Sequence, residues 1–183
     1  MEIAKNIYSN KVFKYILIAF AGSILLTISA KIKIPFYPVP MTMQTFVVIL
    51  LGISFGYKAG AAAVCLYLIE GIFGLPVFSN SPEKGVGLSY FMGPTMGYLI
   101  GFIFAAVIAG YLKYNKNYIL NFFKILFSIS IIYLFGLLWL GTLIGWDKPI
   151  FKLGLLPFLY AEILKIILLT LFVNKVKNFR RFI

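Results

Sequence analysis

The chain has 183 residues, of which 62% are apolar and 12% charged, and its net charge is +12. A water-soluble surface needs many more charged side chains, so this composition excludes an ordinary soluble domain and predicts a membrane protein. With no histidine, one cysteine and five acidic residues, the sequence lacks the material for a histidine-based triad, a zinc site, a c-type haem or a disulfide framework. We therefore expect neither a metal nor a cofactor.

Six apolar stretches approach the length of about 20 residues that a helix needs to cross the hydrocarbon core of a bilayer. They predict an all-α integral membrane protein with irregular outward-facing loops, forming one six-helix domain over residues 1–183. The predicted spans are about 13–31, 42–56, 57–75, 93–112, 120–144 and 153–173. The second span is short for the core and needs flanking residues or an irregular segment, whereas the fifth is long enough to tilt.

Basic residues predict the orientation of these spans. Ten lysines and arginines, including Lys5 in the N-terminal arm, flank one set of helix ends, and five lie in the alternate loops. The positive-inside rule therefore places both termini in the cytoplasm and residues 32–41, 76–92 and 145–152 outside. Because these charges flank the spans, anionic lipid headgroups explain them better than nucleic acid does. A signal peptide ending near Ala30 is disfavoured, because its removal would leave five spans.

Rows of small residues predict close packing between helices. Helices in lipid associate through close backbone contact, and a small residue at every fourth position is the usual signature of such contact. The rows are Gly93, Gly97, Gly101, Ala105 and Ala109, then Gly52, Gly56 and Gly60, then Ala19, Ser23 and Thr27. The last row could pack internally or dock a separate membrane protein, and the sequence leaves both open.

Two outward loops have the composition of a binding site. Residues 34–40 contain three prolines, which stiffen the path into Thr42 and Gln44 at the outer end of a short helix. An ordinary turn and helix cap is the alternative interpretation of that stretch. Residues 76–87 form a polar, glycine-rich loop of the kind that covers or binds a ligand.

The sixth span carries two opposite charges, Glu162 and Lys165. Their i, i+3 spacing puts them on one helix face, too deep for either to reach water easily. Burying such groups costs several kcal/mol unless they are paired or face a polar cavity, so they are candidates for ligand binding. A structural ion pair is the alternative. For Glu70, a lone acid in the third span, structural and binding roles remain equally open.

Four motifs occur in order along the chain: residues 38–45 (PVPMTMQT), 74–78 (GLPVF), 93–98 (GPTMGY, then Gly101-Phe102) and 157–165. In these motifs the chain resembles the BioY family, the biotin-binding S components of energy-coupling-factor (ECF) transporters. The resemblance covers nearly the whole chain. It implies a six-helix protein of a prokaryotic cell membrane that captures biotin outside and works with a transmembrane coupling subunit and two ABC-type ATPases.

The resemblance and the chemistry of biotin together imply a set of binding residues. Biotin offers two ureido N–H donors, one carbonyl, apolar rings and a carboxylate, so its site needs polar groups at both ends. The expected residues are Glu162, Lys165, Asn80 and Gln44, with Tyr37, Phe78, Tyr90 and Tyr98 as aromatic walls. We favour Glu162 on the ureido N–H groups and Lys165 on the carboxylate, although the sequence does not decide which end of biotin meets Lys165.

Three positions depart from the family pattern. The family usually has Asp where Glu162 stands, and a glycine pair where this chain has Met96-Gly97. The alanine-xxx-alanine motif expected for partner docking is Ala19-xxx-Ser23 here. The resemblance therefore implies docking through the row Ala19, Ser23 and Thr27, with one residue changed.

Energy for transport is expected to come from partners, because the sequence has no Gly-x-x-x-x-Gly-Lys-[Ser/Thr] string to cradle phosphates. The chain is accordingly predicted not to be an enzyme. The alternatives are a small intramembrane enzyme using Glu162 and Lys165 in acid-base chemistry, or a stand-alone carrier. Neither a second catalytic set nor an inverted repeat supports them.

Overall fold

The computed structural model describes residues 11–182, and Lys5 of the N-terminal arm lies outside this range. The described chain is almost wholly helical. Its elements are α1 (Lys11–Lys31), β1 (Lys33–Ile34), β2 (Met41–Thr42), α2 (Gln44–Ile72), α3 (Gly87–Phe91), α4 (Met96–Tyr111), α5 (Tyr118–Ile144), α6 (Ile150–Gly154), a 3-10 helix (Leu156–Phe158), α7 (Leu159–Val176) and a second 3-10 helix (Lys177–Phe182). The two short strands pair antiparallel, with Lys33 opposite Thr42.

Four stretches of the described chain are long and apolar enough to cross a membrane, and α4 is a shorter apolar helix. The four are Lys11–Lys31, Gln44–Ile72, Tyr118–Ile144 and Ile150–Arg181. α2 is in fact two helices joined at Gly56, so six long helices result: α1, the two arms of α2, α4, α5 and α7. The predicted all-α membrane architecture with six helices is therefore confirmed.

Gly56 turns α2 back on itself. Its φ of 75° and ψ of 173° lie in a region that is open essentially to glycine alone. A Cβ added to Gly60 would lie 2.9 Å from the Cα of Gly52, whereas residues eight apart in a straight helix are about 12 Å apart. The glycine row predicted to pack helices thus makes a tight helical hairpin: Gly56 forms its turn, and Gly52 faces Gly60 across it.

α4 packs by close backbone contact on two sides. A Cβ on Gly101 would lie 2.8 Å from the Cα of Ile132 in α5, and Gly97 faces α5 in the same way. Towards α2, the Cβ of Ala109 would lie 3.2 Å from a Cβ on Gly52. The predicted small-residue row is therefore divided between two neighbours, because a helix with 3.6 residues per turn rotates a four-residue row around its axis.

Gly93, the first residue of that row, lies before α4 begins. Its carbonyl accepts a 2.9 Å hydrogen bond from Trp139 Nε1. It therefore contributes a contact from the loop rather than from the packed helix face.

The connections gather at the two ends of the α2 hairpin. At the turn end, Arg180 Nε donates to the Ile53 carbonyl at 2.7 Å, and Lys177 Nζ donates to the Tyr114 carbonyl at 3.1 Å. At the open end, Gln44 Nε2 bonds Tyr67 Oη at 2.7 Å, and Tyr67 Oη in turn approaches the Val77 carbonyl. The loops predicted to face outward at 32–41 and 76–92 thus share the open end, where the site lies.

Candidate functional site

A cavity opens among β2, the start of α2, the loop after α2, and helices α4, α5 and α7. It encloses about 520 Å³ of empty space, part of it continuous with solvent. We call it the inner cavity. Most of its wall is apolar or aromatic, with a few polar groups, as small-molecule sites usually are. Its lining residues are Val39, Pro40, Met41, Thr42, Gln44, Thr45, Phe78, Ser79, Tyr90, Thr95, Tyr98, Leu99, Phe102, Ile132, Tyr133, Phe158 and Glu162.

The deepest polar feature is a cluster of Glu162, Lys165 and Thr45. Lys165 Nζ lies 2.8 Å from Glu162 Oε1, and Thr45 Oγ1 donates to the same carboxylate oxygen at 2.9 Å. Lys165 also donates to Thr45 Oγ1 at 3.0 Å and to the Thr42 carbonyl at 2.6 Å. An ammonium has three N–H donors, so Lys165 has none left for a ligand. These bonds pair Lys165 with Glu162 and join α7 to β2 and the start of α2.

Glu162 still has one oxygen to offer. The residue is 5% exposed and lines the inner cavity, yet its Oε2 atom has no hydrogen-bond partner anywhere in residues 11–182. The Tyr133 side chain of α5 lies close enough to interact with this carboxylate, but its hydroxyl makes no hydrogen bond of ordinary geometry to Oε2. A buried acceptor without a partner costs free energy comparable to a lost hydrogen bond, and more when it is charged. This oxygen can therefore accept a hydrogen bond from a donor group placed in the inner cavity.

Aromatic rings also line the inner cavity. Phe78 stacks on Tyr90 with ring centroids 5.2 Å apart, and it meets Tyr67 edge-on at 5.5 Å. Tyr98 donates its hydroxyl to the Gly154 carbonyl at 2.8 Å, which fixes its ring against the cavity. These contacts hold the aromatic rings in fixed orientations along the apolar part of the cavity wall.

A second pocket, the outer pocket, adjoins the inner cavity and shares Tyr90 and Thr95 with it. It holds about 620 Å³ of space open to solvent and is lined by Tyr37, Pro38, Asn80, Lys84, Ser89, Tyr90, Gly93, Pro94 and Thr95. Lys84 Nζ lies 5.8 Å from the ring centre of Tyr37, and it has no acidic partner among the described residues. The rim of the site is therefore positively charged.

A family model described as the BioY family matches residues 4–182 of this chain. The chain belongs to the BioY family. "Probable biotin transporter BioY" of Pyrococcus horikoshii is 38% identical over 141 residues, which cover 77% of this chain and 82% of that protein. "Biotin transporter BioY" of Thermotoga maritima is 35% identical over 158 residues, covering 84% and 90%. The resemblance that four motifs indicated is thus confirmed, and the chain is a multi-pass membrane protein.

A solved structure has the same fold as this BioY protein. It is the crystal structure, at 2.1 Å, of the S-component for biotin from an ECF-type ABC transporter. The TM-score is 0.77 at 23% sequence identity, and the match covers 93% of this chain and 94% of the other.

The structure distributes the predicted binding residues of this BioY chain over three places. Glu162, Gln44, Phe78, Tyr90 and Tyr98 line the inner cavity, and Tyr37 and Asn80 line the outer pocket. Lys165 lies behind the inner cavity, where it bonds Glu162 rather than lining the wall.

Sequence reasoning missed Thr45, Ser79, Thr95 and Tyr133, all of which line the inner cavity. Thr45 lies within one of the four motifs but was not predicted as a binding residue. Its hydrogen-bond partner Glu162 is 117 residues away. The one available signal was its place directly after Gln44 at the start of a helix facing the outward loops.

Glu70 and Ser23 form a contact away from the site. Ser23 Oγ donates to Glu70 Oε2, and Ser23 is 1% exposed. Neither residue lines the inner cavity or the outer pocket. The pair joins α1 to the second arm of α2, which gives Glu70 a structural contact and places the Ser23 side chain inside the protein. Ala19 and Thr27 are half-buried beside it.

Proposed function

We propose that this chain is the biotin-binding S component of an ECF-type uptake transporter, and that it forms one six-helix domain in the cell membrane of a prokaryote. The observation that carries this proposal is the free Oε2 oxygen of Glu162, buried and facing an aromatic cavity. A ureido ring offers paired N–H donors that suit such an oxygen, and charge-assisted bonds of this kind contribute about 1.5–3 kcal/mol each. Membership of a family whose relatives are named biotin transporters supports it.

The geometry favours a particular orientation of biotin. The ureido ring reaches Glu162 at the deep end, and Phe78, Tyr90 and Tyr98 hold the apolar rings. The carboxylate does not meet Lys165, contrary to our sequence-based preference, because all three N–H groups of Lys165 are already bonded. It extends instead into the outer pocket, where Lys84 supplies the positive charge.

Asn80 is the second carboxylate-binding residue in this proposal. The Oδ1 atom of Asn80 accepts a 3.0 Å hydrogen bond from Lys33 Nζ. The Nδ2 group of the same amide therefore remains as the donor for a ligand in the outer pocket. One amide and one ammonium donor match the two oxygens of a carboxylate. This orientation predicts that neutral amides of biotin bind more weakly than the acid.

Transport is proposed to need a transmembrane coupling subunit and two ABC-type ATPases, and this chain itself is proposed to catalyse no reaction. α1 is the proposed docking helix, because most of its apolar side chains are exposed. Of the docking row, a partner helix would touch Ala19 and Thr27, whereas Ser23 is engaged by Glu70. Ser23 therefore supports the packing of α1 rather than the contact with the partner.

Two measurements test the function. The purified chain in detergent is expected to bind biotin in titration calorimetry, with no change in the ligand recovered afterwards. Vesicles containing the chain with its coupling subunit and ATPases are expected to take up biotin only when ATP is supplied. Chemical conversion of biotin would favour an intramembrane enzyme, and uptake by the chain alone would favour a carrier. Absence of binding would overturn the proposal.

We propose that both termini are cytoplasmic, so that the two pockets face outward. The charge split and the grouping of the C-terminal residues with the turn at Gly56 support this orientation. Single cysteines at Asn178 and Lys148, in a Cys65→Ala background, are expected to differ in intact cells. An impermeant thiol reagent should label the cysteine at 148 and leave that at 178 unlabelled. The opposite pattern would invert the topology.

A further inference from the structure

Residues 78–83 lie over the site, and we call them the lid loop. They contain no helix or strand. The lid loop lies in the connection between α2 and α3, and Phe78 and Ser79 form part of the inner cavity wall. Asn80 belongs to the outer pocket. The position of this loop therefore sets the width of both pockets, and its anchors decide how firmly a ligand is enclosed.

Two lysines from the end of α1 and from β1 provide those anchors. Lys31 Nζ donates to the carbonyls of Phe78 at 2.8 Å and Ser81 at 2.7 Å. Lys33 Nζ donates to the Ser79 carbonyl at 2.8 Å and to Asn80 Oδ1 at 3.0 Å. Phe78, Ser79, Asn80 and Ser81 are thus each bound by one of two ammonium groups, and these bonds are charge-assisted.

A fifth bond differs from the other four. Lys33 Nζ also meets Glu83 Oε2 at 3.0 Å, but the Glu83 side chain is 69% exposed. An ion pair in water contributes little, so the backbone carbonyls and the Asn80 amide hold the loop more firmly than Glu83 does. The anchoring therefore depends on the two lysine side chains and on the path of the loop, not on a surface ion pair.

The inner side of the lid loop is held differently. The Phe78 ring packs directly on the backbone of Gly71 in α2, and the hydroxyl of Tyr90 accepts from the backbone N–H of Asn80 at 3.1 Å. These contacts belong to the cavity wall itself and line the space that a ligand occupies. Opening the site from the outside therefore breaks the lysine bonds, which join the lid loop to the α1–β1 segment.

We infer that Lys31 and Lys33 are positioning residues that hold the lid loop over bound ligand and so control how fast the ligand leaves. Because both lysines belong to one segment at the outer end of α1, a displacement of that segment releases the loop at several points together. The inference rests on the proposed function, since it takes biotin to be the ligand that the loop encloses.

The test compares the variant Lys31→Met/Lys33→Met with the control Lys148→Met. Lys148 lies in the third loop predicted to face outward, residues 145–152, and its side chain pairs with the adjacent Asp147. In the wild-type and control proteins, labelled biotin is expected to dissociate at the same rate. The double variant should release it at least tenfold faster, while its ligand-free melting temperature stays close to that of the control.

Arginine replacements test whether other long cationic donors can hold the lid loop. Lys31→Arg/Lys33→Arg keeps two long cationic donors and is expected to recover most of the slow release. A double methionine variant that releases biotin at the wild-type rate would overturn the inference. So would a variant whose melting temperature falls while its release rate does not change, because the lysines would then support the fold alone.

A second measurement needs no biotin. Trypsin cuts after Lys84, which follows the lid loop directly. In ligand-free protein, cleavage after Lys84 should be faster in the double methionine variant than in the Lys148→Met control. If wild-type protein fails to bind biotin, the proposed function fails, and this cleavage rate alone decides whether the lysines hold the loop. Equal cleavage rates would overturn the anchoring.

Discussion

Replacing Lys165 with methionine is expected to lower the free energy of unfolding by about 3–5 kcal/mol, because it leaves the buried Glu162 carboxylate without its positive partner. Lys165 is 4% exposed and its ammonium makes three hydrogen bonds, so water cannot replace what is lost. Thermal unfolding in detergent without ligand measures the effect. The matched control is Lys152→Met, the same substitution at an exposed lysine of α6, which should change stability little.

The double variant Glu162→Gln/Lys165→Met decides how this loss is interpreted. Removing both charges takes away the uncompensated carboxylate, so much of the stability should return. If the double variant is as unstable as Lys165→Met, the loss comes from the bonds to Thr42 and Thr45 rather than from an isolated charge.

Glu162→Gln is expected to weaken biotin binding by about tenfold or more, the equivalent of one lost charge-assisted bond. The substitution keeps the size of the side chain but removes the negative charge from the oxygen that faces the inner cavity. Glu162→Asp keeps the carboxylate and restores the residue usual in the family, so it should bind biotin well. Titration calorimetry compares the three proteins.

Unfolding curves measured alongside separate affinity from stability, since Glu162→Gln also leaves Lys165 without its counter-ion. Wild-type affinity in the double variant Glu162→Gln/Lys165→Met would end the ligand-binding role of Glu162. The pair would then be a structural connection between α7 and the start of α2.

The sequence predicted the helices well because each depends on a local property. Apolar runs of near bilayer length mark α1, α4, α5 and α7 whatever they pack against. The i, i+3 spacing of Glu162 and Lys165 is equally local, so the pair could be identified without any knowledge of the fold. The turn at Gly56 was located as a boundary between two spans, but the direct contact of Gly52 with Gly60 was not.

What the sequence could not predict depends on contacts between distant segments. Thr45 bonds Glu162 across 117 residues, and no feature of either local stretch specifies that meeting. The same limit applies to Lys165, because its bond to the Thr42 carbonyl spans 123 residues and could not be predicted from either local stretch. Lys31 and Lys33 were counted only as charges that orient the chain, yet in the fold their side chains reach 46–50 residues ahead to the lid loop.

The hairpin at Gly56 has a consequence for how the protein enters the membrane during synthesis. Its first arm, from Gln44 to the turn, is about 18 Å long and its second about 24 Å, so neither alone matches a hydrocarbon core of about 30 Å. Because the two arms are joined at Gly56 without an intervening loop, we expect residues 44–72 to enter the membrane together as a hairpin rather than as two independent crossings. The backbone carbonyls freed at the bend need protein partners, and Arg180 supplies one of them to Ile53. Arg180 lies 127 residues after Ile53, so the Ile53 carbonyl receives this bond only after the C-terminal segment has been synthesised.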